Sequence, residues 1–326
     1  MTHEKRPEEG MDDRAIKASG LIKAFGDNVA VDHLDLNVAS GELFGLVGPD
    51  GAGKTTIMRL FSGLLLPTGG EVWVAGHSII DGSEAIKEKI GYMPQRFGLY
   101  EDLTVMENVL FYADLYRVPK KERPPRIERL LAFSNLTLFR DRLAGNLSGG
   151  MKQKLGLACA LIHTPKVLLL DEPTGGVDPV SRRDLWRILY DLLREGVTIF
   201  VSTAYLDEAE RCSKIGLIHK GKLLITGEPR EVRNMLHFPM IEVLTPVGRQ
   251  ARVVAAGVPG VRSVTAYGDR LHVGLDAADA ADAVVAAMAS RGVEITGKRP
   301  ILPSLEDAFI ALVTGPESNA ETGKDR

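Results

Sequence analysis

Apolar residues recur along this chain in two alternating rhythms. Short apolar runs at 29–36, 42–47, 71–75, 90–93, 167–170 and 198–202 are strand-sized, and between them apolar positions return every three or four residues, the spacing of one helix face. Ile57, Leu60, Phe61 and Leu64 mark the first such face, Val105, Val109 and Leu110 a second, and Ile127, Leu130 and Leu131 a third. Leu155, Ala158, Cys159 and Ile162 line a helix at 151–163, and Leu185, Ile188, Leu189 and Leu192 line another. Strands alternating with helices predict an α/β fold, and the almost wholly apolar run 42–47 predicts a central strand covered on both faces.

Signals at the element ends sharpen this frame. Thr104 with Glu107 forms a capping box, and Asp178 before Pro179 places an N-cap ahead of a first-turn proline. Helical patterning dominates from 97 to 146, so a mostly helical insertion, about 97–160 with the following helix, is expected to interrupt the strands. It carries the aromatic cluster Phe97, Tyr100, Phe111, Tyr112 and Tyr116, which suits internal packing and a partner-docking face equally well. A hairpin at 215–226, turning at Lys220-Gly221, closes a first domain of about 15–230, with a boundary near 228–238.

Beyond that boundary the pattern reads strand 241–244, helix around Arg252, strands 261–267 and 271–275 joined at Gly268-Asp269, helix 278–291, strand 293–296 and helix 304–313. That order is a split β-α-β-β-α-β unit, a small ferredoxin-like α+β domain over 238–314. It holds no catalytic constellation, so packing or dimer support is its plainest role. The polar ends, 1–14 and 315–326, are expected to be disordered tails.

Composition removes several function classes. The net charge of −3 leaves no basic footprint for nucleic acid, so no nucleic-acid partner is expected. Two cysteines, Cys159 and Cys212, exclude a disulfide framework and fit a cytoplasmic setting. The first thirteen residues lack the apolar core of a signal peptide, and no apolar run approaches the roughly 18 residues that cross a bilayer.

Chemistry gathers in two glycine-rich stretches. Gly48, Pro49, Asp50, Gly51, Ala52, Gly53, Lys54 and Thr55 fit G-x-x-x-x-G-K-[ST], with a strand before and a helix after, as the motif requires. Such a loop turns its amide N–H groups toward phosphates, Lys54 neutralises β and γ charges, and the Thr55 hydroxyl can ligate Mg²⁺. The second stretch begins Leu147, Ser148, Gly149, Gly150, a hydroxyl and two amides opening a helix, which suits an anion. It reaches, within one helix length, a strand ending in Asp171, suited to Mg²⁺, and Glu172, suited to polarising an attacking water. Gln95, at a strand end, can reach metal or water through its amide oxygen, and Phe25, just before the first recognised strand, can stack on a purine.

As an ordered set these motifs resemble the nucleotide-binding subunit of an ATP-binding cassette (ABC) transporter, over roughly 16–228. The resemblance implies a P-loop NTPase cassette: Phe25 as the adenine-stacking aromatic, Gly48 to Thr56 as Walker A, Gln95 as the Q-loop and Leu147 to Lys154 as the family signature. Asp171 then closes Walker B, Glu172 is the catalytic carboxylate, and Gly175 to Asp178 form the D-loop. It implies ATP and Mg²⁺ as ligands, with Thr55, Gln95 and Asp171 toward the metal and Glu172, Gln95 and Lys54 as the catalytic set. It further implies a second cassette whose Ser148, Gly149 and Gly150 face the γ-phosphate, a transmembrane permease, and a place on the inner face of the membrane. Pro303 to Phe309 resemble the tail of export cassettes that move drugs, lipids or polysaccharides.

One position departs from the pattern. Relatives place a histidine after the last of these strands, where this chain has Ala204. The resemblance therefore implies intact ATP binding and slowed hydrolysis, by Glu172 alone, with a histidine from a different cassette, or with Thr203 or Tyr205 in its place. The rival readings are a soluble ABC ATPase acting on ribosomes or DNA, and a regulatory ATP-binding module.

Overall fold

The computed structural model describes residues 14–96 and 98–314. The expected disordered ends, other than Arg14, and Phe97 lie outside the described residues. Arg14 itself begins a strand, Arg14–Phe25, so the folded region starts one residue earlier than its polarity suggested. The chain divides into two compact units between Thr226 and Gly227.

The first unit is built on a six-stranded sheet in the order Lys222–Gly227, Lys214–His219, Leu43–Val47, Thr198–Thr203, Val167–Asp171, Ile90–Met93. The last five of these are mutually parallel. The three central strands are buried at every residue, which is why their sequences read as continuous apolar runs and not as alternation. An antiparallel sheet joins Asn28–Ala39, Arg14–Phe25, Gly69–Val74 and His77–Ser78. Helix Lys54–Phe61 buries Ile57, Met58, Leu60 and Phe61 in a core shared by both sheets. There Phe200 stacks on Phe44, centroids 5.3 Å apart, and meets the edge of Phe61 at 5.2 Å.

The predicted insertion has a core of its own. Val105, Val109, Ala113, Ile127, Leu131, Leu155 and Cys159 pack together from helices Val105–Leu115, Arg123–Phe133 and Gly149–Leu161. The capping box is complete: Glu107 N–H donates to the Thr104 hydroxyl, and the Glu107 carboxylate accepts from Thr104 N–H. The aromatic cluster is split. Tyr100, Phe111 and Tyr112 meet edge to face, whereas Tyr116 stacks on His163 at 3.8 Å. Helix Pro179–Arg194 begins after Asp178, whose carboxylate accepts from Val180 and Ser181 N–H.

The second unit pairs Val261–Tyr267, Arg270–Leu275, Met240–Leu244 and Gly297–Ile301 in that order, all antiparallel, with helices Gly248–Ala256 and Ala280–Ser290 as crossovers. Numbered within the unit, the strand order is 4-1-3-2, the ferredoxin-like arrangement. The last strand corrects the expectation. It does not lie at 293–296 but at Gly297–Ile301, while Val293 turns into the unit's apolar core. As an edge strand, Gly297–Ile301 accommodates Pro300 and carries charge outward, so apolar patterning does not reveal it. Among the described residues no helix is long and apolar enough to cross a membrane.

Candidate functional site

The loop after strand Leu43–Val47 curls back on itself before helix Lys54–Phe61. Gly53 caps that helix in a left-handed conformation, φ 106°, and a β-carbon there would come within 2.4 Å of the Ala30 carbonyl oxygen. Only glycine satisfies both demands. Packed against the loop is the Lys220-Gly221 turn, both residues at positive φ, with Gly221 N–H donating to the Ala52 carbonyl at 2.9 Å.

These elements enclose a cavity of about 780 Å³, within the range of small-molecule sites. From the loop side Asp50, Gly51, Gly53, Lys54, Thr55 and Thr56 line it; Gln95, Glu172 and Phe25 face them. Gly48, Pro49 and Ala52 complete the loop without lining the cavity, although the carbonyls of Gly48 and Pro49 accept from the buried Lys54 ammonium at 2.7 and 3.0 Å. Lys54 also lies 3.1 Å from Glu172 Oε1, and Gln95 Nε2 donates to Glu172 Oε2 at 3.0 Å. Three candidates separated by 118 residues of sequence thus meet at one carboxylate. Because Gln95 spends its amide N–H on Glu172, its amide oxygen is left for another partner.

Asp171 sits just behind. It is 1% exposed, its Oδ1 accepts from the Ser202 hydroxyl at 2.6 Å, and its Oδ2 is buried with no hydrogen-bond partner. A buried carboxylate oxygen left unpaired costs free energy, and a hard cation or its water shell is the group that relieves it. With the Thr55 hydroxyl on the cavity wall, the donors fit Mg²⁺. Phe25 lines the cavity, is 49% exposed and has the Lys23 ammonium over its ring, 5.1 Å from the centroid.

Ser148, Gly149 and Gly150 do not reach this cavity. Ser148 instead caps helix Gly149–Leu161, accepting from Met151 N–H at 3.3 Å, and Gly149 is exposed. Gly150 has a structural reason of its own, since a β-carbon there would lie 2.3 Å from the Ser181 hydroxyl. Ala204 is exposed at the end of strand Thr198–Thr203. Its neighbours are engaged elsewhere: Thr203 is buried and donates to Glu208 at 2.8 Å, and Tyr205 lies under the Arg182 guanidinium, 4.7 Å from its centroid. Neither lines the cavity.

Asn28, Val29, Ala30, Lys220 and Gly221 also line the cavity, and no motif marks them as lining residues. They arrive through two local hairpins brought together in space, with Asp32 N–H donating to the Gly221 carbonyl at 2.9 Å, and the one hint in the sequence was the Lys220-Gly221 turn.

With this geometry in view, comparison with known proteins is decisive. Residues 31–175 match the family model described as ABC transporter, and residues 227–313 match that of the ATP-binding protein DrrA1-3-like, C-terminal domain. The Nod factor export ATP-binding protein I of Rhizobium sp. (strain N33) is 37% identical over 93% of this chain and 98% of its own length. This chain belongs to the ABC transporter ATP-binding family. The ABC chain is also 33% identical to the daunorubicin resistance ATP-binding protein DrrA3 of Streptomyces coeruleorubidus, over 97% of this chain and 98% of that protein. It is 45% identical over 94% of its length to the Escherichia coli (strain K12) protein named "Probable multidrug ABC transporter ATP-binding protein YbhF", but spans only about half, 53%, of that relative. Among solved structures, a dimeric ATP-binding cassette in a post-hydrolysis state bound to ADP and Pi aligns with a TM-score of 0.60 at 29% identity, covering 65% of this chain and 98% of that one. The relatives that it matches over nearly their whole length are named as ATP-binding proteins.

Proposed function

We propose that this chain is the ATP-hydrolysing subunit of an ABC exporter, closing head to tail with a second cassette on ATP to drive a separate membrane permease that moves a drug, lipid or polysaccharide. The observation that carries this reading is the meeting of Lys54, Gln95 and Glu172 at one cavity beside the orphaned Asp171 oxygen, while the signature residues lie outside it. A phosphate site complete on one side, with a second anion-binding helix start on the same chain that cannot reach it, calls for two chains.

In this reading the amides of 48–56 and the Lys54 ammonium hold the β- and γ-phosphates, and Phe25 stacks on adenine. Thr55, Asp171 and the Gln95 amide oxygen would hold Mg²⁺, which when bound offsets the phosphate charge. Lys54 exchanges its contact with Glu172 for phosphate oxygens. Glu172, freed from that pair and oriented by Gln95, polarises the attacking water. Ser148 and the amides of Gly149 and Gly150 of the partner cassette supply donors to the transferred γ-phosphate. With Ala204 in place of histidine, Glu172 works without a second hydrogen-bonding group, and turnover is slow while ATP binding is intact.

For the permease, the supporting surface is a groove of about 740 Å³ lined by Leu64, Tyr92, Leu115 and Tyr116, between the helical insertion and the sheet. Leu64 and Leu115 are largely exposed there, and Tyr100 and Phe111 add an aromatic face on the insertion. Docking at that groove would hold the cassette against the inner face of the membrane. The names of its full-length relatives, Nod factor export and daunorubicin resistance, support the export direction.

Replacing Glu172 with Gln tests the assignment directly. Turnover is expected to fall by roughly 10³-fold while ATP still binds, with an ATP-dependent dimer accumulating on gel filtration. Equal turnover in variant and wild type would remove Glu172 from its role.

A further inference from the structure

The side chain that links the Asp171 carboxylate to the backbone of Glu172 is Ser202, which no motif singles out. It is the penultimate residue of strand Thr198–Thr203, fully buried, paired in register with Asp171 at the end of the neighbouring parallel strand. Its hydroxyl donates to Asp171 Oδ1 at 2.6 Å and accepts from the backbone N–H of Glu172 at 3.1 Å. The Ser202 carbonyl takes the same N–H at 3.2 Å, so this one residue closes both of that amide's contacts.

Glu172 needs such a clamp. Its φ is 49°, in the left-handed region, where a glutamate is rarely held unless its surroundings impose it. That conformation turns the chain immediately after the strand and directs the carboxylate between Lys54 and Gln95. Without the hydroxyl, the Glu172 amide keeps only one of its two acceptors, and the turn is free to relax toward ordinary φ. Asp171 would lose the donor that fixes Oδ1 and thereby the direction of the unpaired Oδ2. The hydroxyl therefore orients two groups at once, each by a different bond.

We infer that Ser202 is a positioning residue for hydrolysis: it acts through Glu172, holding that carboxylate in its strained, productive direction, in a chain that has Ala204 and not histidine just past the strand. The inference rests on the reading of Glu172 as the group that polarises water. The strand just before Ala204 thus still contributes a hydrogen-bonding side chain to the site, two residues earlier than that position and through Asp171 and the Glu172 amide.

The test is a double-mutant cycle on the full chain, with ATP turnover, ATP affinity and melting temperature read for each protein. Ser202→Ala is expected to lower kcat about 10- to 100-fold, with KM and the affinity for a fluorescent ATP analogue within about threefold of wild type. Ser202→Thr, which restores the hydroxyl, is expected to recover most of kcat. In the Glu172→Gln background, Ser202→Ala is expected to lower residual turnover several-fold less than in the wild type, because the carboxylate it acts through is gone and only its bond to Asp171 still counts. An unchanged kcat in Ser202→Ala overturns the inference, and so does an equal loss in both backgrounds. Loss of ATP binding or of a cooperative melting transition in Ser202→Ala, unrescued by Thr, overturns it too, since the serine would then be holding the fold. If Glu172→Gln itself turns over ATP as fast as wild type, it is the underlying reading that fails, and the cycle shows which of the two has gone.

Discussion

The chain contains two glycine-rich turns that open helices, and their surroundings differ sharply. At 48–56 the turn is wrapped by Ala30, Gly221 and Glu172, its lysine is buried, and it faces a cavity of about 780 Å³. At 147–150 the turn is capped by its own serine, and Gly149 stands in solvent. Both offer amides at a positive helix end. On the proposed reading the first turn is one chain's phosphate site and the second is half of a site that a partner cassette completes, which would account for two such turns on a single chain.

Separate damage to the two turns is the strongest way to break that comparison. Lys54→Ala removes a buried charge that, on the proposed reading, contacts phosphate, a loss of about 2–4 kcal/mol, so ATP affinity is expected to fall roughly 30- to 1000-fold by titration. Ser148→Arg or Gly149→Glu should leave the affinity of the isolated chain within about twofold, since neither residue meets the cavity, yet abolish the ATP-dependent dimer and turnover. A signature variant that weakens ATP binding to the isolated chain as much as Lys54→Ala would mean that both turns serve one chain.

Much of this was legible from residue order because the informative segments are buried on both faces or capped by local rules. Leu43–Val47 is apolar throughout because it is central, Asp178-Pro179 starts its helix by local chemistry, and Lys220-Gly221 turns at positive φ as expected. Strand Arg14–Phe25 was illegible for a physical reason: its register shifts repeatedly against Asn28–Ala39, with Gly20 at φ 52°, so inward and outward positions lose their alternation. Strand Gly297–Ile301 was misplaced because edge position, not apolarity, defines it. In the site, residues carrying a motif were found and residues delivered by sheet pairing were not. Ser202 belongs to the second kind: a serine ending an apolar run reads as punctuation until the neighbouring strand sets it against Asp171.

The missing histidine gives a gain-of-function test that sharpens the same comparison from the hydrolytic side. Ala204 is exposed and its neighbours Thr203 and Tyr205 are held by Glu208 and Arg182, so a histidine can be added without unseating either. Ala204→His is expected to raise turnover, by roughly 10-fold and up to 1000-fold if full general-base assistance is restored, with ATP affinity nearly unchanged. No gain would mean that Glu172, as held by Ser202, needs no further partner, or that the histidine comes from a different cassette; turnover of mixed cassettes separates the two.

The smallest effect concerns how each helix is anchored at its far end. Helix Lys54–Phe61 runs into a wholly apolar core, but helix Gly149–Leu161 is followed by His163, which stacks on Tyr116 and contacts the Ile90 carbonyl through Nε2 at 2.8 Å. Burial holds the His163 imidazole below the ordinary histidine range; the Ile90 contact opposes this and the Arg126 charge reinforces it. Above about pH 6.5 folded and unfolded chains both carry it neutral, and it adds no pH dependence. As pH falls below that value the unfolded chain takes up a proton that the folded chain resists, so stability declines until the lower folded pKa is passed. Melting of the wild type is therefore expected to drop further between about pH 7.5 and 5 than melting of His163→Phe, which keeps a ring for Tyr116 but cannot titrate. Parallel melting curves across that range would show that the signature helix is fixed by its apolar face alone, as the helix behind Lys54 is.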